Sequence, residues 1–286
     1  MRCPRRGLRG RGAPEVRPGR VRGDGRTRGR PREDARHLRP EAVHAAVIFD
    51  VLVLLAGTLA GAVAAVGGFG IGSLLTPVLS THVGTKVAVA AVSIPHVVGT
   101  AVRFVKLRPH VDRRAFVRFG VLSAAGGLLG ALINARVKAP ILSIVLGVLL
   151  IFAGLNGLVG LAERLRLGRR TAWVAGLLSG LFGGLVGNRG GIRSAALMGF
   201  DLPKEAFVAT ATAVALVVDG ARLPVYVWTE WRALLRVWPE IVAATAGVLL
   251  GTVVGVRVLR RIPEQVFRPS VSILITALGV YMLLHR

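Results

Sequence analysis

"GLVGNRGGIRSAALMGF", Gly184 to Phe200, places Arg189 and Arg193 among glycines in an otherwise apolar run. A helix is poorly supported through such a stretch, since each glycine costs about 1 kcal/mol relative to alanine in a helix interior. A second stretch of the same kind, "VGGFGIG", runs from Val66 to Gly72. Both lie inside long apolar segments, so the question they raise is what surrounds a broken backbone there.

The surroundings read as a membrane. Hydrophobic residues make up 53% of the 286 residues, and mean hydropathy is +0.61. Ala45 to Gly68 is interrupted only by Asp50, and Pro140 to Leu161 carries no charge. Apolar runs of about 18 residues or more predict membrane-spanning helices. Eight such segments are predicted, near Ala45–Gly68, Lys86–Phe104, Ala115–Ala135, Pro140–Leu161, Thr171–Gly187, Glu205–Trp228, Val237–Val256 and Phe267–Leu284. Basic, proline-bearing connectors such as "RFVKLRPHVDRR" separate many of them. The expected fold class is therefore an all-α polytopic membrane protein, multi-pass in a bacterial inner or plasma membrane. Nothing is left over for a soluble catalytic domain.

Two halves resemble each other. "AGTLAGAVAAVGGFGIGSLLTPVLSTHVGTKVAVAAVSI", from Ala56, aligns with "AGLLSGLFGGLVGNRGGIRSAALMGFDLPKEAFVATATA", from Ala175, at an offset of 119 residues. Gly57, Gly61 and Gly68 fall on Gly176, Gly180 and Gly187, and Lys86 meets Lys204 after a slip of one residue. Residues 43–161 and 171–286 are thus predicted to be two homologous transmembrane repeats joined by a basic connector, 162–170. Each repeat opens with a glycine-broken helix, spanning or re-entrant, and matched breaks of this kind point to a transporter binding site. Counted by the positive-inside rule, an inverted pair of halves with re-entrant breaks separates the basic residues best.

A break in lipid leaves amides and carbonyls unpaired, so it must line protein or a water-filled cavity. Half-helices are predicted to resume after the breaks, over Ser73–Leu79 and Ser194–Gly199, with their free N–H groups forming an anion site. The candidate substrate-binding residues are Gly68, Gly70, Gly72, Ser73, Lys86, Arg189, Gly190, Gly191, Arg193 and Lys204. Arg189 and Arg193 offer bidentate donors to a sulfonate, sulfite or carboxylate oxygen. Plainer readings stand beside this: glycines allow close helix packing, and an arginine near a helix end can snorkel.

Three more polar residues lie inside apolar segments. Asp219 and Arg222 are three apart and share a helix face, so they can pair; the pair is either structural or a protonatable coupling site. His96 could carry a proton similarly, or be a hydrogen-bonded packing residue. Pro95 and Pro224 are expected to kink these two helices.

Other classes of function find no support. Cys3 is the only cysteine, and the six histidines lack metal-ligand spacing, so no metal site, cofactor or enzyme activity is expected. Of the 38 basic residues, 14 are arginines in the first 40 positions, between glycines and prolines. Residues 1–42 are read as a disordered tail with no apolar periodicity, and no nucleic-acid partner is expected.

The glycine-rich first helices, the short apolar half-helices after them and the Lys-x-Ala-Val-type second helices together resemble the TauE/SafE sulfite exporter family. The resemblance spans about Ala45 to Arg286. The family's first-half pattern is a Gly-x-Gly-Gly-Gly run, an apolar stretch and a proline; "GGFGIGSLLTP" keeps the glycines and Pro77 without the triple run. The second half, "GNRGGIRSAALMGF", has no matching proline and gains both arginines. The resemblance implies a secondary transporter exporting small anions, sulfite- or organosulfonate-like, by alternating access. The rivals are an uncoupled anion channel and a non-transporting membrane subunit. Expected partners are a small anion and the lipid bilayer, with a homodimer left open.

Overall fold

The computed structural model describes residues 40–67, 70–160, 171–189, 192–255, 257 and 261–285. Residues 1–39 of the tail, the connector 162–170, Gly68, Gly190 and Gly191 lie outside the described residues, as does the Lys204 side chain. Every element among the described residues is helical.

The first helix, α1, runs Pro40–Gly67 and stops at the glycine break. Gly70, at φ 129, leads into α2, Ile71–Val83, and Gly84, at φ 76, ends it. These are backbone conformations that L side chains rarely adopt, so glycine sets both corners. The second half-helix is likewise short: α6 runs Thr171–Val186, the chain breaks at Gly187, and α7 occupies Ile192–Met198. The expectation Ser73–Leu79 for the first half-helix is thus too short. Pro77 sits inside α2, and the helix continues to the stop at Gly84.

Between and after these lie α3, Thr85–Leu107, and α4, Arg113–Arg136, the latter with a π turn at Phe116–Gly120. The Asp112 carboxylate caps α4 by accepting the Ala115 N–H at 2.7 Å, as an N-cap residue does. Next is α5, Ala139–Val159, closed by left-handed Gly160. The second half continues with α8, Lys204–Arg236, and α9, Trp238–Leu250, prolonged by a π turn at Gly251–Gly255. The last helix is α10, Glu264–Leu284.

Among the described residues, six helices are long and apolar enough to cross a bilayer: His44–Val66, Thr85–His110, Arg113–Arg136, Ala139–Val159, Glu205–Arg236 and Gln265–Leu284. Two other predicted segments form apolar helices that are shorter, Trp173–Val186 and Trp238–Val254. Outward-facing apolar side chains such as Ile48, Leu52, Leu55 and Leu155 suit lipid. Trp228, Trp231 and Trp238 are exposed at the corner of α8 and α9, where aromatic residues mark a membrane–water interface.

Packing interlocks the two stretches of chain. The first helix of each packs on the fourth helix of the other, α1 on α9 and α6 on α4, while α3 packs on α8 and α5 on α10. Both first-to-fourth contacts use glycines four residues apart. A Cβ at Gly61 would overlap the Val248 carbonyl, and one at Gly251 that of Thr58; likewise Gly180 meets the Ser123 carbonyl and Gly130 that of Leu181. Small residues that let backbones approach are the usual means of helix association in lipid, where no hydrophobic force separates helix from solvent.

In α8 the dihedrals depart from helical values beyond Pro224. The non-helical residue inside this helix is Glu230 (φ −118°, ψ 15°), six positions beyond Pro224.

Candidate functional site

The two breaks touch. Gly187 takes φ +75 at the end of α6, and Gly72, in the first turn of α2, lies so close that a Cβ on it would overlap the Gly187 carbonyl. Gly70 and Ser73 are buried on the same side of the first break. The backbone irregularities therefore face protein, as lipid requires.

Beside the contact, α3 and α8 supply the charge. On α8, Asp219, Arg222 and Tyr226 follow at i, i+3 and i+7 on one face, and on α3 His96, Thr100 and Arg103 follow at i, i+4 and i+7. His96 and Asp219 lie near the middle of their spans, Thr85–His110 and Glu205–Arg236. Asp219 is fully buried and its two oxygens are fully engaged. Oδ1 accepts Arg189 Nη2 at 2.6 Å and Arg222 Nε at 3.0 Å, with Arg222 Nη2 at 2.9 Å. Oδ2 faces His96 Nδ1 at 2.6 Å. A carboxylate clasped by two guanidiniums accepts only, so His96 Nδ1 is the donor.

Arg222 and Tyr226 also repair the broken helix. Arg222 Nη1 donates to the Gly183 carbonyl, which also accepts the Gly187 N–H at 3.1 Å, and the Tyr226 hydroxyl donates to that of Gly184, both in the last turn of α6, where carbonyls run short of intrahelical donors. In the first half, Arg103 Nη1 donates to the Ala64 carbonyl, near the end of α1, and Arg103 Nη2 to Thr100 Oγ1 at 3.3 Å. Each arginine reaches back 39 residues. The 119-residue offset carries Ala64, Thr100 and Arg103 onto Gly183, Asp219 and Arg222.

Positive charge is in excess. Arg103, Arg189, Arg193 and Arg222 are all buried, and Asp219 is the one buried acid among the described residues. Arg193, on α7, lies within electrostatic range of Arg189, Arg103 and Asp219. An arginine at the centre of a membrane helix costs about 2.5–3.5 kcal/mol on insertion scales. A cluster of four against one carboxylate is therefore a costly arrangement, and one that attracts an anion.

The predicted site residues divide accordingly. Gly70, Gly72, Ser73, Arg189, Arg193, His96, Asp219 and Arg222 gather at or beside the breaks. Lys86 does not: its ammonium donates to the Ala135 carbonyl at 2.7 Å and pairs with Glu230 at 3.7 Å, three helical turns before His96. Lys204 heads α8, fifteen residues before Asp219. Residue types and spacing did not single out Arg103, Thr100, Tyr226 or Thr76. For Arg103 a signal exists, the i+7 spacing from His96 and the offset onto Arg222, but the residue opens a basic connector and blends into it. A separate cavity of about 380 Å³, lined among others by Ser80, Thr85, Ser143 and His285, holds none of the predicted site residues.

Comparison with known proteins gives one family. The chain matches the family described as "Sulfite exporter TauE/SafE" over residues 53–282, most of its length. No curated protein and no solved structure matches it. The matched region contains both breaks and the whole arginine cluster, and the chain belongs to the sulfite exporter TauE/SafE family.

Proposed function

We propose that this member of the TauE/SafE sulfite exporter family is a secondary transporter of the cell membrane, carrying small anions outward by alternating access. The anion, sulfite or a sulfonate, sits where the two glycine breaks meet, held by Arg189 and Arg193. The single observation carrying this is the excess of buried arginine among the described residues, four against one carboxylate, beside the Gly72–Gly187 contact. Packing or snorkelling explains that poorly. Snorkelling needs reach to an interface, whereas the guanidiniums of Arg103, Arg189 and Arg222 are turned inward onto Asp219 and onto backbone carbonyls.

The two stretches, 43–161 and 171–286, act in this proposal as repeats whose relative rocking opens the pocket to either side. Reciprocal packing of first on fourth helices and the matched reach of Arg103 and Arg222 support it. His96 and Asp219 are proposed to couple the anion to protons, the short contact between imidazole and carboxylate being the supporting geometry. Arg222 serves there as the fixed counter-charge.

Purified protein in proteoliposomes tests this. An imposed pH gradient is expected to concentrate sulfite against its own gradient, and His96→Gln to remove the dependence on pH while flux persists. Flux that only dissipates the sulfite gradient would make the protein an uncoupled channel. No flux of sulfite, sulfate or sulfonates would leave it a non-transporting subunit.

A further inference from the structure

Buried polar atoms at the breaks include donors that no hydrogen bond among the described residues uses. Thr76 Oγ1, Arg189 Nη1 and Arg103 Nε are buried without a hydrogen-bond partner among the described residues. Thr76 is 0% exposed, Arg189 8% and Arg103 9%. Thr76 follows Gly72 by one helical turn and so shares its face of α2. Its hydroxyl oxygen stands 3.6 Å from the point where a side chain on Gly187 would begin, and Arg222 Nη1 stands 3.9 Å from that same point. Thr76 thus opens on the Gly187 break from one side, and Arg189, two residues past that glycine, from the chain itself.

Thr76 shares this state with Thr252, on the π turn after α9, whose hydroxyl is also buried without a hydrogen-bond partner among the described residues. A helical threonine in an apolar setting ordinarily bonds the carbonyl four residues back. Thr58, Thr212, Thr229, Thr245 and Thr276 all do so here, at 2.7–3.0 Å. Thr76 does not, although the Gly72 carbonyl stands in that position. Leaving a buried polar group unsatisfied costs about 1–3 kcal/mol, so a buried orphan donor calls for an explanation.

Resting on the anion pocket above, we propose that Thr76 is a substrate ligand which, with the idle N–H groups of Arg189 and Arg103, selects for small oxyanions that carry no cationic group. The three idle groups can all donate, matching the several acceptor oxygens of one compact anion. The one buried carboxylate among the described residues, Asp219, has both oxygens engaged, so an ammonium entering the pocket would find no counter-charge there. Zwitterionic aminosulfonates are thereby disfavoured against simple oxyanions, because a buried unpaired charge is heavily penalised.

The test uses the full-length protein in detergent, with sulfite as probe. Thr76→Val keeps the side-chain shape and removes the hydroxyl. Its sulfite affinity is expected to fall about tenfold, with ligand-free thermal stability equal or higher, since an orphan hydroxyl has been replaced by methyl. Thr76→Ser is expected to bind within about threefold of wild type; Thr76→Ala serves as a second deletion should valine disturb the fold. Unchanged sulfite affinity in both Thr76→Val and Thr76→Ala would overturn the assignment while leaving the anion pocket intact. A wild-type protein that binds neither sulfite nor sulfate would sink the pocket and this assignment together. In competition against sulfite, aminomethanesulfonate is expected to be at least tenfold weaker than ethanesulfonate, its isostere without the ammonium. Competition by aminomethanesulfonate as strong as by sulfite itself would contradict the selection.

Discussion

Arg103 on α3 and Arg222 on α8 do the same mechanical work in the two parts of the chain, each bonding a carbonyl near the end of a glycine-broken helix, 39 residues back. Three residues before them the two parts differ. Thr100 meets Arg103 in the first, and Asp219 meets Arg222 in the second. The breaks differ too, since the 119-residue offset sets Gly70 against Arg189 and Leu74 against Arg193. The shared feature is an arginine bonded to a carbonyl near the end of a broken helix. The carboxylate enters on one side only: Asp219 holds Arg222 of its own helix and Arg189 of the second break, while the first part contributes His96 and Arg103. The mechanical frame is common to both parts, whereas a pair of arginines at the break is found only in the second.

Exchanging the residues before the clasping arginines gives the largest expected contrast. Asp219→Ala leaves Arg189 and Arg222 buried without their shared acceptor, and breaking a buried pair in this way costs about 3–5 kcal/mol. Little folded protein is expected on size-exclusion chromatography. Thr100→Ala removes one neutral contact to Arg103, worth about 1 kcal/mol, and should purify normally. Similar yields of the two variants would break the comparison, because Asp219 would then not be the keystone of the second part.

A smaller effect is expected where the breaks touch. Gly72→Val drives a side chain into the Gly187 carbonyl, and overpacking of this kind costs about 1–3 kcal/mol, read as a lowered melting temperature together with lost sulfite flux. Gly220→Ala is the control, since nothing lies within 4 Å of a Cβ there; its stability should hold or rise by up to about 1 kcal/mol. Equal behaviour of the two would mean that the breaks do not depend on their mutual contact.

The smallest effect falls on a residue that matched between the halves in sequence. Lys86 bonds Ala135 and Glu230 rather than the cluster, so Lys86→Gln removes a partly exposed ion pair worth about 0–1 kcal/mol. Sulfite affinity within about twofold of wild type is expected by titration calorimetry. A tenfold loss would bring Lys86 back into the pocket.

Much of this architecture is legible in sequence, for particular reasons. The predicted spans are helical because uncharged apolar runs leave no alternative to intrasegment hydrogen bonding in lipid. Glycine clusters placed both breaks, and the i, i+3 spacing anticipated the Asp219–Arg222 pair. What escaped was long-range. His96 meets Asp219 across 123 residues, and no local pattern in either helix encodes that meeting. Arg103 was hidden because a charge at the end of an apolar run is ordinarily a solvated one. Thr76 was invisible because its interest lies in a bond it does not make.

Arg193, buried on the half-helix after the second break, offers the most direct test of the pocket at the breaks. Arg193→Gln keeps a polar side chain and removes the charge and the guanidinium fork. Charge-assisted hydrogen bonds are worth about 1.5–3 kcal/mol, and each 1.4 kcal/mol is a factor of about ten in affinity. Sulfite binding measured on the purified, folded variant is expected to weaken roughly tenfold to a hundredfold, with ligand-free stability little changed. An affinity within about twofold of wild type would contradict the anion pocket.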